Sequence, residues 1–274
     1  VTRLSDVMDF EPVARAAVSE AGALLRARWR GSKIVQYKGA VDLVTETDRE
    51  AEELIVRRLR RAFPDHLIVA EEASAGATLR APAGDRYVWY LDPLDGTTNF
   101  AHGYPQFCVS LALAQGTDVR FGIVFDPVRE ETFVASRGHG ATLNDQPIHI
   151  SAVDDLQRAL LATGFAYDRQ VRTDFYLRFV RDFMRQAQDF RRAGSAALDL
   201  CYVACGRFDG FWEWNLRPWD TAAGTLIVRE AGGKVSDFRG GSFDLYGEHT
   251  LASNGHLHTA MLAVLTARLD GSDD

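Results

Sequence analysis

The sequence predicts a mixed α/β (α+β) protein of two closely packed subdomains, and three observations point there. Phe107 to Ala114, Val119 to Phe125 and Glu131 to Ser136 are consecutive strand-like segments joined by short turns, the pattern of an antiparallel meander. Beyond a composition shift near residue 150, strand-like and helical stretches alternate instead. The chain of 274 residues is long for one simple core and short for two independent enzymes. The expected subdomains are therefore 1–150, carrying the antiparallel sheet, and 151–274, carrying the alternating elements.

In chain order, Phe10, Val13, Ala17, Ala21 and Leu24 form the apolar stripe of an amphipathic helix from about Asp9 to Arg30. Ile34 to Tyr37 and Asp42 to Thr45, separated by Lys38-Gly39-Ala40, predict a hairpin. Thr47-Asp48-Arg49-Glu50 has the form of a capping box and opens a helix with Ala51, Leu54, Ile55 and Leu59 at helical spacing, ended by Pro64. Asp48 then lies in a first turn, where acids are favoured for dipole reasons alone. His66 to Ala70 is a short strand running into Glu71-Glu72, and residues 73–84, rich in Ala, Gly, Ser and Pro, predict a mobile loop. Gly138-His139-Gly140 reads as a turn, since the spacing and context of a dinucleotide fingerprint are absent.

In the second half, strands are expected at Ala159 to Thr163, Asp189 to Ala193, Phe208 to Trp214, Lys234 to Phe238 and Thr250 to Ala252. Helices are expected from Arg172 to Gln188, from Ser195 to Cys205, from Trp219-Asp220 to a stop at Gly232-Gly233, and from Leu257 to Leu269.

Composition narrows the function. Hydrophobic residues at 46% and charged residues at 25% are ordinary for a globular protein. A net charge of −7 argues against general nucleic-acid binding, so the basic runs at Arg57, Arg58, Arg60, Arg61 and at Arg191, Arg192 read as solvated faces or partner contacts. Cys108, Cys201 and Cys205 form no Cys-x-x-Cys motif and read as reduced core thiols. No charged-then-apolar leader opens the sequence and no apolar run approaches the roughly 20 residues of a membrane span, so cytoplasmic residence is expected. His256-x-His258 has no further Cys or His at zinc-site spacing.

The rest is arranged around Trp89 to Phe100, Trp-Tyr-Leu-Asp-Pro-Leu-Asp-Gly-Thr-Thr-Asn-Phe. Tyr87 to Leu91 suits a buried strand, and the character changes at Asp92. Asp92 and Asp95 flank Pro93, with Gly96 next, so two carboxylates project from one rigid corner. At about 4 Å such a pair repels by roughly 4 kcal/mol at an effective dielectric near 20, which favours a proton or, better, a hard divalent cation between them. Gly96-Thr97-Thr98-Asn99 follows as a helix start, where free N–H groups hold anions.

Four blocks together resemble the inositol monophosphatase family, most nearly its bacterial members: Asp42-Leu43-Val44-Thr45-Glu46-Thr47-Asp48; Ala70-Glu71-Glu72-Ala73-Ser74; Asp92 to Phe100; and Trp219-Asp220-Thr221-Ala222-Ala223-Gly224 with Glu230-Ala231-Gly232-Gly233 behind it. The resemblance implies a layered αβαβα sandwich of the inositol monophosphatase and fructose-1,6-bisphosphatase type. It also implies a Mg²⁺-dependent phosphomonoesterase with two or three ions per site, inhibited by lithium and usually homodimeric. By the same resemblance one ion is held by Glu71, Asp92 and the carbonyl of Leu94, and a second by Asp92, Asp95 and Asp220, while a third leans on Glu71. Thr97 and Asp48 match the residues that orient and deprotonate a metal-activated water, which attacks phosphorus directly, and the amides of Gly96 and Thr97 match the phosphate cradle.

For the alcohol part, Gly194, Ser195 and Ala196 match a substrate loop, and Glu213 matches a carboxylate that accepts from sugar or cyclitol hydroxyls. Leu94, Asp95 and Asp220 border the same substrate. Trp212 and Trp214 flank Glu213 and either shelter a polar pocket or belong to the core. Thr98 stands where histidinol-phosphate and adenosine-bisphosphate phosphatases of the superfamily carry a basic residue, which favours inositol-1-phosphate or a sugar monophosphate. Histidinol-phosphate phosphatase activity stays as an alternative. Fructose-1,6-bisphosphatase activity stays open too, with Arg191, Arg192 or Arg217 as a second phosphate site. So does a role as a regulatory partner of the transcription machinery.

Overall fold

The computed structural model describes residues 10–31, 35–37, 43–74, 78–81 and 84–269, and in it helices and sheets alternate in five layers. The first layer is α1 (Glu11–Arg28) against α2 (Glu46–Ala62). Beneath it lies a seven-stranded sheet in sequential order: β3 (Leu67–Ala70), β4 (Tyr87–Asp95), β5 (Cys108–Gln115), β6 (Asp118–Asp126), β7 (Glu131–Ser136), β8 (Ala141–Leu143) and β9 (Gln146–Pro147). β3 pairs parallel with β4, and each following pair from β4–β5 to β8–β9 is antiparallel.

The middle layer is α5 (Ala196–Ala204) and α6 (Pro218–Glu230). Below that, a five-stranded sheet orders β11 (Asp189–Arg191), β10 (Leu160–Thr163), β12 (Gly210–Trp214), β14 (His249–Ser253) and β13 (Lys234–Ser236). The last layer is α4 (Thr173–Gln186) with α7 (His258–Leu269). A short α3 (Thr97–His102) follows β4, and β1 (Val35–Tyr37) pairs antiparallel with β2 (Leu43–Thr45) as the expected hairpin.

Each boundary between layers is an apolar cluster. Strand β4 shows why its sequence is apolar without alternation: Trp89 and Leu91 face α1 and α2, while Val88 and Tyr90 face α5 and α6. Burying both faces of this strand removes several large side chains from water at about 1.5–3 kcal/mol each, so β4 is a rigid base for whatever its end carries.

Several expectations are corrected. The buried stripe of α1 runs through Ala14, Ala17, Val18, Ala21 and Leu25, leaving Val13 and Leu24 at its margin. The capping box is Thr45 with Asp48 rather than Thr47 with Glu50, so α2 starts two residues early. Strands β8 and β9 were not expected from their short, polar sequences. Asp9, Ile34, the Lys38-Gly39-Ala40 turn, Asp42, and residues 75–77 and 82–83 of the expected loop lie outside the described residues.

Candidate active site

The site grows from the end of β4. Asp92 pairs with Ser110 and Asp95 with Cys108, three steps on β4 against two on β5, so one extra residue bulges out. The bulge accommodates Pro93 in a central strand and turns the two acids into one corner. The Leu94 N–H donates to Asp92 Oδ1 at 2.9 Å. Gly96 then turns the chain with φ +100°, and a Cβ there would sit 2.8 Å from the Gln106 carbonyl oxygen, so no other residue fits this turn into α3.

At the start of α3, Thr97 Oγ1 lies 3.0 Å from Asp48 Oδ1 and 3.1 Å from the Leu94 carbonyl oxygen. The other oxygen of Asp48 accepts from the Thr45 N–H at 2.9 Å and from the Thr45 hydroxyl. Asp48 thus caps α2 with one oxygen and meets Thr97 with the other, and both residues are buried. Asp95 is held from the second half of the chain: its Oδ2 accepts from Ser195 Oγ at 2.9 Å and the Ala197 N–H at 2.8 Å, at the start of α5. Gly194 and Ser195 both have positive φ, +85° and +64°, and Asn99 Nδ2 donates to the carbonyls of Gln106 and Ala193 at 2.8 and 2.9 Å, fixing this loop against α3.

Asp220 stands in the first turn of α6 and accepts from the Arg217 N–H at 2.7 Å. Glu71 follows β3, with its N–H bonded to the Leu91 carbonyl at 3.1 Å, and its loop is gripped by buried Glu52, which accepts from the N–H groups of Glu72 and Ala73 at 2.8 and 2.9 Å. Burial first, then the charges of Glu71, Asp95 and Asp220, pushes the Asp92 carboxyl well above the usual range. Asp220 is raised in the same way, by burial, Asp95 and Glu71. Asp95 is raised by burial, though hydrogen bonds from Ala197 and Ser195 oppose it.

As they stand, no three His, Cys, Asp or Glu side chains among the described residues are gathered tightly enough to hold a metal ion. Asp95 and Asp220 each turn one oxygen to a helix start. The donor set nonetheless suits a hard divalent cation, because it is all oxygen, comes from three separate elements and consists of acids that repel one another.

Glu213 is buried on β12, and burial, reinforced by Asp95 and opposed by Arg192, pushes its carboxyl up to about 8. Its tryptophan neighbours do not shelter it. Trp212 and Trp214 point to the opposite face, as alternation requires, where Trp212 stacks on Phe183 and Trp214 meets Phe175 edge-on. The expected residues Asp48, Glu71, Asp92, Leu94, Asp95, Gly96, Thr97, Gly194, Ser195, Ala196, Glu213 and Asp220 are thus linked through contacts or shared fields. Glu52 and Asn99 escaped the sequence reading. Glu52 could have been found, since it lies four residues after Asp48 on the same helix face.

The sequence profile described as the inositol monophosphatase family matches residues 6–269. The chain belongs to the inositol monophosphatase family. It is 45% identical over 264 residues to an inositol-1-monophosphatase of Synechocystis sp., covering 96% of this chain and 91% of that one. It is 46% identical over 261 residues to the Nus factor SuhB of Pseudomonas aeruginosa, covering 94% and 96%. Among solved structures, inositol monophosphatase from Anabaena superposes with a TM-score of 0.84 at 39% identity, covering 95% of this chain and 96% of that one. This member of the family is accordingly a phosphoric monoester hydrolase with the family's layered α/β fold. No helix among the described residues is long and apolar enough to cross a membrane.

Proposed function

We propose that this phosphatase hydrolyses a polyhydroxylated phosphate monoester, inositol-1-phosphate first among them, with Mg²⁺ as cofactor. The observation that carries the reading is the Thr97–Asp48 contact of 3.0 Å, set beside Asp92 and Asp220, whose carboxyls burial and the charges of Glu71 and Asp95 push up. Glu71, Asp92, the Leu94 carbonyl, Asp95 and Asp220 would hold the ions. Bound Mg²⁺ would supply the positive charge that binds phosphate and makes water acidic near neutral pH.

The chain's own residues do the rest. Thr97 Oγ1 orients the attacking water and passes its proton toward Asp48 Oδ1, while the other carboxylate oxygen, Oδ2, is held by Thr45. As the water oxygen bonds to phosphorus, the ester P–O bond breaks, and the alkoxide leaves toward Glu213 and takes a proton from solvent water to become the alcohol. Gly96 and Thr97 face the phosphate, and Gly194, Ser195 and Ala196 border the alcohol. Initial rates with Mg²⁺ on inositol-1-phosphate, fructose-1,6-bisphosphate, histidinol phosphate and adenosine-3′,5′-bisphosphate test this reading, and preference for any of the last three would reassign the substrate. Arg191 already pairs with Asp189 at 2.6 Å, which disfavours it as a second phosphate site.

A second role is favoured by the 46% identity to a protein named Nus factor SuhB. Co-purification with RNA polymerase, in the wild type and an inactive variant alike, would support contact with the transcription machinery. Self-association is supported by exposed Val171, Leu177 and Met184 on and just before α4, and light scattering at two concentrations tests for a homodimer.

A further inference from the structure

Helix α5 is buried along its whole length and otherwise reads Ala-Ala-Leu-x-Leu-Cys-Tyr-Val-Ala, yet it carries Asp199. Asp199 is 1% exposed, and its Oδ1 is buried with no hydrogen-bond partner. Such a group costs stability, and a leucine would fill the position without that cost. The charges that act on it are those of Glu213, Asp95 and Arg192, and α5 packs against β12, the strand that carries Glu213. Burial, then Glu213 and Asp95, hold its carboxyl well above the usual range, against Arg192.

Glu213 lies directly over Gly164, where a Cβ would come 2.1 Å from its Oε2, so the carboxyl fits there only because residue 164 is glycine. Arg192 packs its guanidinium 5.5 Å from the neighbouring Phe165 ring centroid. No hydrogen bond joins Asp199 Oδ1 to Glu213, so the two carboxyls do not satisfy each other.

We propose that Asp199 is a specificity residue that, beside Glu213, hydrogen-bonds the hydroxyls of a polyol phosphate ester. The assignment rests on the phosphatase reading above and adds a second carboxyl to its alcohol pocket. An acid retained in an apolar helix against its own stability is explained by a ligand that completes its hydrogen bonds.

The test compares wild type, Asp199→Leu and Asp199→Asn with Mg²⁺ on inositol-1-phosphate and on para-nitrophenyl phosphate, which offers no aliphatic hydroxyls. Inositol-1-phosphate is read both as substrate and as inhibitor of the second ester. In Asp199→Leu the ratio of kcat/KM for inositol-1-phosphate to that for para-nitrophenyl phosphate should fall by about ten- to a hundredfold. Asp199→Asn, which keeps hydrogen-bonding atoms, should lose less of that ratio. The melting temperature of Asp199→Leu should equal or exceed that of wild type, showing that the loss is not one of folding.

A ratio within threefold of wild type in Asp199→Leu overturns the proposal, as does a wild type that neither hydrolyses inositol-1-phosphate nor is inhibited by it. A wild type inert toward both esters instead overturns the phosphatase reading itself.

Discussion

Asp95 and Ser195 stand a hundred residues apart in sequence, yet the Ser195 hydroxyl donates to Asp95 Oδ2 at 2.9 Å, and the Ala197 N–H joins it at 2.8 Å. The pair ties the bulged end of β4, in the first sheet, to the first turn of α5, in the helix layer beneath. An acid proposed as a metal ligand is therefore also the anchor of the loop proposed to meet the alcohol. Its field at α5 is favourable in itself, since a carboxylate at a helix start offsets unpaired N–H groups.

The first prediction follows from that double duty. Asp95→Asn should keep the contacts to Ser195 and Ala197 through its amide oxygen while losing the charge. Activity should fall more than about a hundredfold at saturating Mg²⁺. Because a buried like charge is removed, the melting temperature should hold or rise, and the gain that Mg²⁺ gives the wild type, about 2.7 kcal/mol at a hundred times Kd, should shrink. Turnover within tenfold of wild type would remove Asp95 from the metal site.

The second concerns Thr97 and Asp48. Thr97→Ala should lower kcat by about 10²- to 10⁴-fold with little change in KM. Asp48→Asn should lower kcat similarly but also weaken the cap on α2 by about 1 kcal/mol, because the Thr45 N–H donates to Asp48 Oδ2. Thr97→Ala is therefore the cleaner probe. If the residues act as one unit, the double variant should be little slower than either single one. Losses that multiply would show that they act independently.

Much of this site was legible because its chemistry is packed into short runs. The acids around Pro93, the glycine after them and the apolar strand before them each have a local cause, and the structure brings them to one corner through the β4 bulge. The start of α2 was misplaced by two residues because Thr45 and Thr47 both precede an acid by three positions. Only the buried contact from Asp48 to Thr45 decides between them. Trp212 and Trp214 were open to two readings since adjacency in sequence does not disclose that alternation sends them away from Glu213. Asn99 grips the Ala193 carbonyl far along the chain, and no local spacing announces that contact, whereas Glu52 is marked only by its four-residue spacing from Asp48.

Glu52 supplies the third prediction. Its two oxygens accept from the N–H groups of Glu72 and Ala73, which fixes the backbone directly after Glu71. Glu52→Gln replaces one acceptor with a donor that faces an N–H, so the Glu71 loop should loosen. The Mg²⁺ concentration for half-maximal activity should rise about 10- to 100-fold, as when a group that orients a ligand is lost. Excess Mg²⁺ should restore most of kcat. An unchanged Mg²⁺ dependence would mean that Glu71 is positioned without Glu52.

The last prediction lies away from the site and concerns pH. His258, at the start of α7, is buried with Nε2 2.9 Å from Ser236 Oγ on β13 and Nδ1 2.9 Å from Ser253 Oγ on β14, so one ring pins two strands to a helix. A neutral imidazole serves both serines, with one nitrogen donating and the other accepting. Burial, aided by Lys234, lowers its pKa from 6.5 to about 4. The folded value lies below the unfolded one, so between these limits the unfolded chain binds more protons. The contribution of His258 is thus complete above about pH 6.5 and is lost as pH falls toward 4. In His258→Gln, which keeps a donor and an acceptor but does not titrate, stability at pH 7 should be lower, and the gap from wild type should narrow at pH 6 and again at pH 5. Urea unfolding of both proteins at the three pH values measures it. Parallel curves across that range would show that His258 keeps an ordinary pKa and that burial does not hold it neutral.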